Sequence, residues 1–157
     1  MPMKTVALVL IFLFGSPEAV LVARAHWGVE AMCRCLPNDD ACPARHRLAA
    51  WTIGVVADAD PDPDEAVVQL VGLGAHESGF VHVLQLDAKG RPAGPAVSFW
   101  QLEGTPAERA AWLADPVLAA TRARWVARHG LVAYSGGSVQ VAAELQRFVD
   151  KAREHTR

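Results

Sequence analysis

Glu77 is the residue whose type and setting could do chemistry. It closes a stretch in which Val67, Val68, Leu70, Val71 and Leu73 leave a helix little polar face, and a helix apolar nearly all round is buried. Burial disfavours the ionised form of a carboxyl, and the negative end of the helix dipole adds to this. A carboxyl held protonated near neutral pH can give its proton to a leaving oxygen, as glycosidic bond cleavage requires. The plain alternative is a solvated helix-end glutamate, the commonest setting of a carboxylate. Glycoside hydrolases commonly pair their acid with a second carboxyl. Asp87 is the first candidate for that role and Glu103 the second. Asp87 is directly followed by a turn, so its competing reading is a turn-forming residue. His76 and His82 flank Glu77 without metal-ligand spacing, and both are expected on the surface or a groove wall. Ser135-Gly136-Gly137-Ser138 is not the strand-nucleophile-helix elbow of serine hydrolases.

The three cysteines, Cys33, Cys35 and Cys42, form a separate group. An odd count in an exported chain predicts one disulfide and a spare thiol, with Cys35 or Cys33 bonded to Cys42. Three thiols with His46 as a zinc site is a second reading, and inert free thiols a third. None of these touches catalysis. The aspartates of residues 58–64 invite a calcium reading, but the segment lacks the glycine and the terminal glutamate of a calcium loop. It is expected to be a solvated connector that caps the next helix.

The elements that must position Glu77 are mainly helical. Residues 47–57 read as a helix with Leu48, Trp51, Val55 and Val56 on one face. Residues 65–77 form the buried central helix, stopped by Gly79. Residues 81–86 are β-prone and residues 88–91 look like a turn, so a small hairpin is expected. Thr105-Pro106-Ala107-Glu108 is a capping box opening a short helix to Leu113. Asp115-Pro116 opens another, ending at His129-Gly130. Residues 138–154 are the last helix, with Val141, Leu145, Phe148 and Val149 as its stripe. Tyr134, the only tyrosine, is expected in a tight glycine turn between these two. The fold class is mainly α (α+β), with a small β-prone insert directly after the helix that carries Glu77.

Three stretches occur in order: Ala75-His76-Glu77-Ser78-Gly79-Phe80, then Gly94-Pro95-Ala96-Val97-Ser98-Phe99-Trp100-Gln101-Leu102-Glu103, then Ala133-Tyr134-Ser135-Gly136-Gly137. This order resembles the lytic transglycosylase and lysozyme-like superfamily, phage-type members in particular, over roughly residues 47–140. The resemblance implies a lysozyme-like domain that cleaves the β-1,4 bond between N-acetylmuramic acid and N-acetylglucosamine, without a cofactor or metal. Glu77 would be the acid/base, and Ser78 would steady it by hydrogen bonding. Gln101 would line the sugar groove with Trp100, and Tyr134 would help orient Glu77. Acting alone, Glu77 would protonate the leaving oxygen and then deprotonate the sugar's own 6-hydroxyl, giving a 1,6-anhydro product. Two positions depart from the pattern: Ser98 stands where the family usually has glycine, and Ser135 replaces an asparagine. They lend weight to a rival reading, a non-catalytic glycan-binding or virion/envelope structural protein that keeps the fold.

Size and composition frame these readings. The 157 residues, 52% hydrophobic and 20% charged, suit one domain with one core. A net charge of -2 gives no basic face for nucleic acid. Lys4, the apolar run of residues 5–14 and Ala23-Arg24-Ala25 are laid out like a secretory signal peptide. Residues 1–25 are therefore expected to be that signal or an N-terminal hydrophobic segment, and residues 26–157 the domain. Secretion, the periplasm or the cell envelope follows as the location, with membrane contact only through an uncleaved N-terminal segment. Ser16-Pro17-Glu18 supports a competing reading, a capped helix start.

Overall fold

The computed structural model of the chain describes residues 15–157. Ser16 accepts a hydrogen bond from Ala19 N and Pro17 takes the first helical position, opening helix α1 (Pro17–Met32). The apolar run of residues 5–14 lies outside the described residues. The boundary expected at residue 25 falls inside α1, whose Leu21 and Ala25 are buried in the core. Helix α2 (Cys42–Asp58) corrects the face expected for it. Leu48 and Trp51 are exposed, and the buried side is Ala49, Ala50, Ile53, Val56 and Ala57. The reason is close approach: a methyl group at Gly54 would stand 2.8 Å from the backbone nitrogen of Val22 on α1. Only glycine fits at that point of contact.

Asp62 caps helix α3 (Pro63–Glu77) through its side chain, as expected of the connector. The connector is not wholly solvated, however. Asp60 is 6% exposed at its side chain and pairs with Arg124, which also donates to Gln69 on α3. Helix α3 is the axis of the fold, packed by α1 and α2 on one side. After it, β1 (Leu84–Leu86) and β2 (Pro92–Val97) form an antiparallel hairpin with Leu84 opposite Val97. The sheet is thus confined to a small insert, as the β-prone stretch predicted.

Helix α4 (Pro106–Ala114) begins with both hydrogen bonds of the Thr105–Glu108 capping box. Asp115 ends it and caps α5 (Pro116–Arg128). Tyr134 does not lie in the glycine turn; it ends a one-turn helix, α6 (Leu131–Tyr134), ahead of that turn. Ser138 caps α7 (Val139–His155), which packs on α3 and α1. At Gly72 a methyl would meet the Val149 backbone at 2.7 Å, so α3 and α7 also approach through a glycine. Leu145 and Val149 are buried, whereas Val141 and Phe148, each 36% exposed, sit at the margin of the stripe. Arg24 Nε of α1 donates to the Thr156 carbonyl at 2.6 Å, and Thr156 is fully buried. No helix among the described residues is long and apolar enough to cross a membrane.

Candidate active site

Helix α3 delivers Glu77 to its last position. The chain then reverses: Ser78 and Gly79 both donate backbone N–H groups to Gly74 O at 3.1 Å, with Gly79 at φ +60. The Phe80 ring folds back beneath the helix end, and a methyl at Gly74 would meet it at 2.3 Å. Phe80, Phe99 and Trp100 form a buried edge-to-face cluster there, with centroids 5.6 to 6.4 Å apart. Glu77 therefore stands on a packed aromatic base.

Above that base, Glu77 opens into a cavity of about 430 Å³ that also touches Gln101, Glu103, Arg122, Tyr134 and Ser135. Burial pushes the Glu77 carboxyl above its ordinary value, and the charge and hydrogen bonding of His76 only partly offset this. His76 Nδ1 stands 3.4 Å from Glu77 Oε1, and its Nε2 stands 3.5 Å from Glu144 Oε2 on α7. The Tyr134 hydroxyl donates to the Trp100 carbonyl at 2.6 Å. Burial, and then the neighbouring Glu77 charge, push the Tyr134 phenol well up, so it stays a neutral donor. Gln101 Nε2 donates to Ser98 O at 2.7 Å, which fixes the amide and leaves its oxygen free for a ligand.

Three non-glycine residues among those described have left-handed backbone: Phe80 at φ +57, Ser98 at +72 and Gln101 at +47. Such a residue costs about 1–2 kcal/mol. All three lie in the stretch between Glu77 and the far cavity wall, where strain turns successive side chains to opposite sides. Trp100 goes into the core and Gln101 to the cavity.

Several expected site residues are placed elsewhere. Trp100 is 1% exposed and donates Nε1–H to Leu70 O at 2.9 Å, so it forms the floor rather than a sugar platform. Ser98 is buried, its Oγ accepting from Trp100 N, and it does not crowd the cavity at Glu77. Its positive φ is the conformation glycine adopts most easily. Ser78 bonds Gly74 O and Phe80 N instead of Glu77. Tyr134 reaches the cavity beside Glu77, but its hydroxyl bonds the Trp100 backbone. Asp87 is a turn residue: its carboxylate accepts from Lys89 N, Arg91 N and Arg91 Nε. These bonds, those from Arg91 foremost, hold its carboxyl below the ordinary range, away from the cavity. The second carboxylate at the cavity is Glu103, which is exposed on its rim. Arg122 carried no local signal and Val141 was expected in the core stripe; α5 and α7 bring both to the cavity.

A pH dependence of stability follows. The folded state holds the Glu77 proton more tightly than the unfolded chain does, so this contribution is fully present below the ordinary value of 4.5. It is lost as pH rises through the folded value. The melting temperature of the parent, measured against Glu77→Gln from pH 4 to 8, should fall relative to the variant as pH rises above 4.5 and level off above the folded value. A constant difference across that range would contradict the raised value.

Among protein-family models, curated proteins and solved structures, none matches the chain.

Proposed function

We propose that the chain cleaves peptidoglycan glycan strands at the N-acetylmuramic acid–N-acetylglucosamine bond, as a lytic transglycosylase with Glu77 as acid and base. The observation that carries the reading is a half-buried carboxyl, raised by burial, at the wall of a cavity that also presents Gln101 and Tyr134. The ordered resemblance of the three sequence stretches supplies the substrate class. Protonated Glu77 gives its proton to the glycosidic oxygen. The resulting carboxylate then takes the proton of the muramyl 6-hydroxyl, which closes onto the anomeric carbon. The free oxygen of the Gln101 amide accepts from a sugar hydroxyl or N-acetyl N–H. No cofactor is required. Export to the cell envelope is part of the proposal, and the Cys35–Cys42 disulfide suits an oxidising compartment.

A second reading, a non-catalytic glycan-binding or envelope structural protein, is favoured by one observation: Trp100, expected as a platform for sugar rings, lies in the core. The experiment that separates the two is mass analysis of fragments released from purified murein sacculi. Anhydro-muropeptides are the expected product, and absence of any release would support the binding reading. Glu103, exposed at the rim, is predicted to be dispensable. Glu103→Gln should keep its release rate within about threefold of the parent, since surface substitutions change little. Loss of activity in this variant, with reducing-end products from the parent, would instead make Glu103 the second carboxyl of a hydrolase.

A further inference from the structure

The loop between α1 and α2 holds a cluster that the proposed reaction does not use. Cys35 and Cys42 are disulfide-bonded, leaving Cys33 free. His46, one turn along α2 from Cys42, lays its ring against the bridge and is 1% exposed. Its Nδ1 lies 2.9 Å from Glu30 Oε1 on α1 and 3.7 Å from Cys35 Sγ, and its Nε2 lies 3.4 Å from Cys42 Sγ and 4.0 Å from Cys35 Sγ. Hydrogen bonding to the Glu30 carboxylate places a proton on Nδ1, so the lone pair of the neutral ring sits on Nε2. That lone pair faces Cys42 Sγ, which carries no proton while the bridge is closed, and a disulfide offers it no donor. The ring of a buried histidine is thus set against the bridge, with Nε2 nearest Cys42.

We propose that reduction of the Cys35–Cys42 bridge turns this cluster into a zinc site, with both thiolates and His46 Nε2 as ligands and Glu30 as the outer partner that orients the ring. Three features support it. The three ligand atoms lie within 4.8 Å of one another. Tetrahedral zinc sets sulfur and nitrogen ligands about 3.5 Å apart, and Cys42 Sγ already stands 3.4 Å from Nε2. A carboxylate behind a metal-binding histidine fixes its tautomer and raises its basicity, which is the placement of Glu30. Cys42 is also the first residue of a 17-residue helix, whose N-terminus favours a thiolate. Cys35 sits in the loop ahead of α2 and is half-buried, so its side chain is the one that swings as the sulfurs part. The group of ligand atoms that lie within 4.8 Å of one another is Cys35, Cys42 and His46, and Cys33 is not part of it.

The chemistry balances with a dithiol as reductant. The dithiol passes two electrons and two protons to the bridge and leaves as its own disulfide. Zn²⁺ then displaces the two thiol protons into water, and a water molecule fills the fourth position. The site exists only in the reduced protein, before the bridge closes or where a dithiol reopens it, so it is filled before export or not at all in an oxidising compartment. Its chemistry is independent of whether Glu77 cleaves glycan.

The test uses the full chain, reduced and held free of oxygen. It is titrated with Zn²⁺ against a chromophoric chelator, and with Co²⁺, whose absorption reports tetrahedral thiolate ligation. The reduced protein should bind one equivalent of zinc with Kd below about 1 µM, and the oxidised protein should not. Cys33→Ser should bind like the parent. Cys35→Ser and His46→Ala should each bind at least about 100-fold more weakly, and Glu30→Gln about 10-fold more weakly. Circular dichroism checks each variant's fold; if His46→Ala unfolds, Cys35→Ser at the half-buried loop position decides the matter. Equal binding by oxidised and reduced protein, a cobalt spectrum without thiolate bands, or unchanged affinity in Cys35→Ser would overturn the proposal.

Discussion

Glu77→Gln should lower the rate of muropeptide release from sacculi by about 10³-fold, the contribution of a positioned general acid and base. Glutamine keeps the shape and one hydrogen-bonding oxygen but can neither give the proton to the leaving oxygen nor take one from the 6-hydroxyl. The fold should be intact and slightly more stable at neutral pH, because the variant no longer ionises a carboxyl that burial disfavours. Lost activity cannot then be blamed on unfolding. The pH profile supplies an independent sign. The acid must be protonated to act, so the parent's rate should fall as pH rises through the raised Glu77 value. Glu77→Asp, a carboxyl set back by one methylene, should retain a small part of the rate. Release by Glu77→Gln at the parental rate would remove Glu77 from the mechanism.

Arg124→Ala should cost about 3–5 kcal/mol in urea unfolding at pH 7, the loss seen when one partner of a buried ion pair is removed. In a domain of this size that is a melting temperature lower by about 10 °C. Arg124 is 5% exposed and holds both oxygens of Asp60, at 2.9 and 3.1 Å, together with Gln69 Oε1 at 2.6 Å. Without it, Asp60 keeps a buried charge facing only a backbone N–H and a more distant Arg128. Burial alone would push the Asp60 carboxyl up, but hydrogen bonds from Arg124 and Asp62 N, with the charges of Arg124 and Arg128, bring it below 3.8. The stability from this depressed carboxyl is present above pH 3.8 and lost as pH falls through the folded value. Arg124→Ala should therefore also flatten the acid limb of the stability curve. The double variant Arg124→Met with Asp60→Leu should recover most of the loss, since a packed apolar pair replaces a buried ionic one well. A single variant within about 1 kcal/mol of the parent would show the pair to be dispensable.

Much of the fold was legible because its helix starts are written locally. Asp62, Thr105, Asp115 and Ser138 each cap a helix with their own side chain; the openings at Thr105 and Asp115, the capping role of residues 58–64 and the helix start at 138 were readable from spacing. Glu77 was legible for a related reason: the apolar residues before it require burial whatever packs on them. What stayed hidden depends on partners far along the chain. In α2, size favoured Leu48 and Trp51 as the inner face, yet Gly54 lies against the Val22 backbone of α1 and the buried side is Ala49, Ala50, Ile53, Val56 and Ala57, so Leu48 and Trp51 turn outward. Around the cavity, Trp100 and Gln101 are neighbours in sequence, and both were expected at the groove. The left-handed backbone at Ser98 and Gln101 sends the one inward and leaves the other at the wall. Asp87 and Glu103 exchanged rank because a turn of five residues satisfies Asp87 completely before any distant site can use it.

The junction of Arg24 and Gly28 with Thr156 has a consequence for how the molecule comes into being. A ribosome releases α1 first and α7 last, yet α3 is packed on both, and the Thr156 methyl lies where a side chain at Gly28 would be. The Cys35–Cys42 loop closes over a separation of 7 residues and can form while synthesis is under way. Val71 can be met by Gly28 of α1 early, but the face at Gly72 lies against the Val149 backbone and cannot be covered until α7 has emerged. That side of α3 thus stays open in the nascent chain, and α7 closes it like a latch.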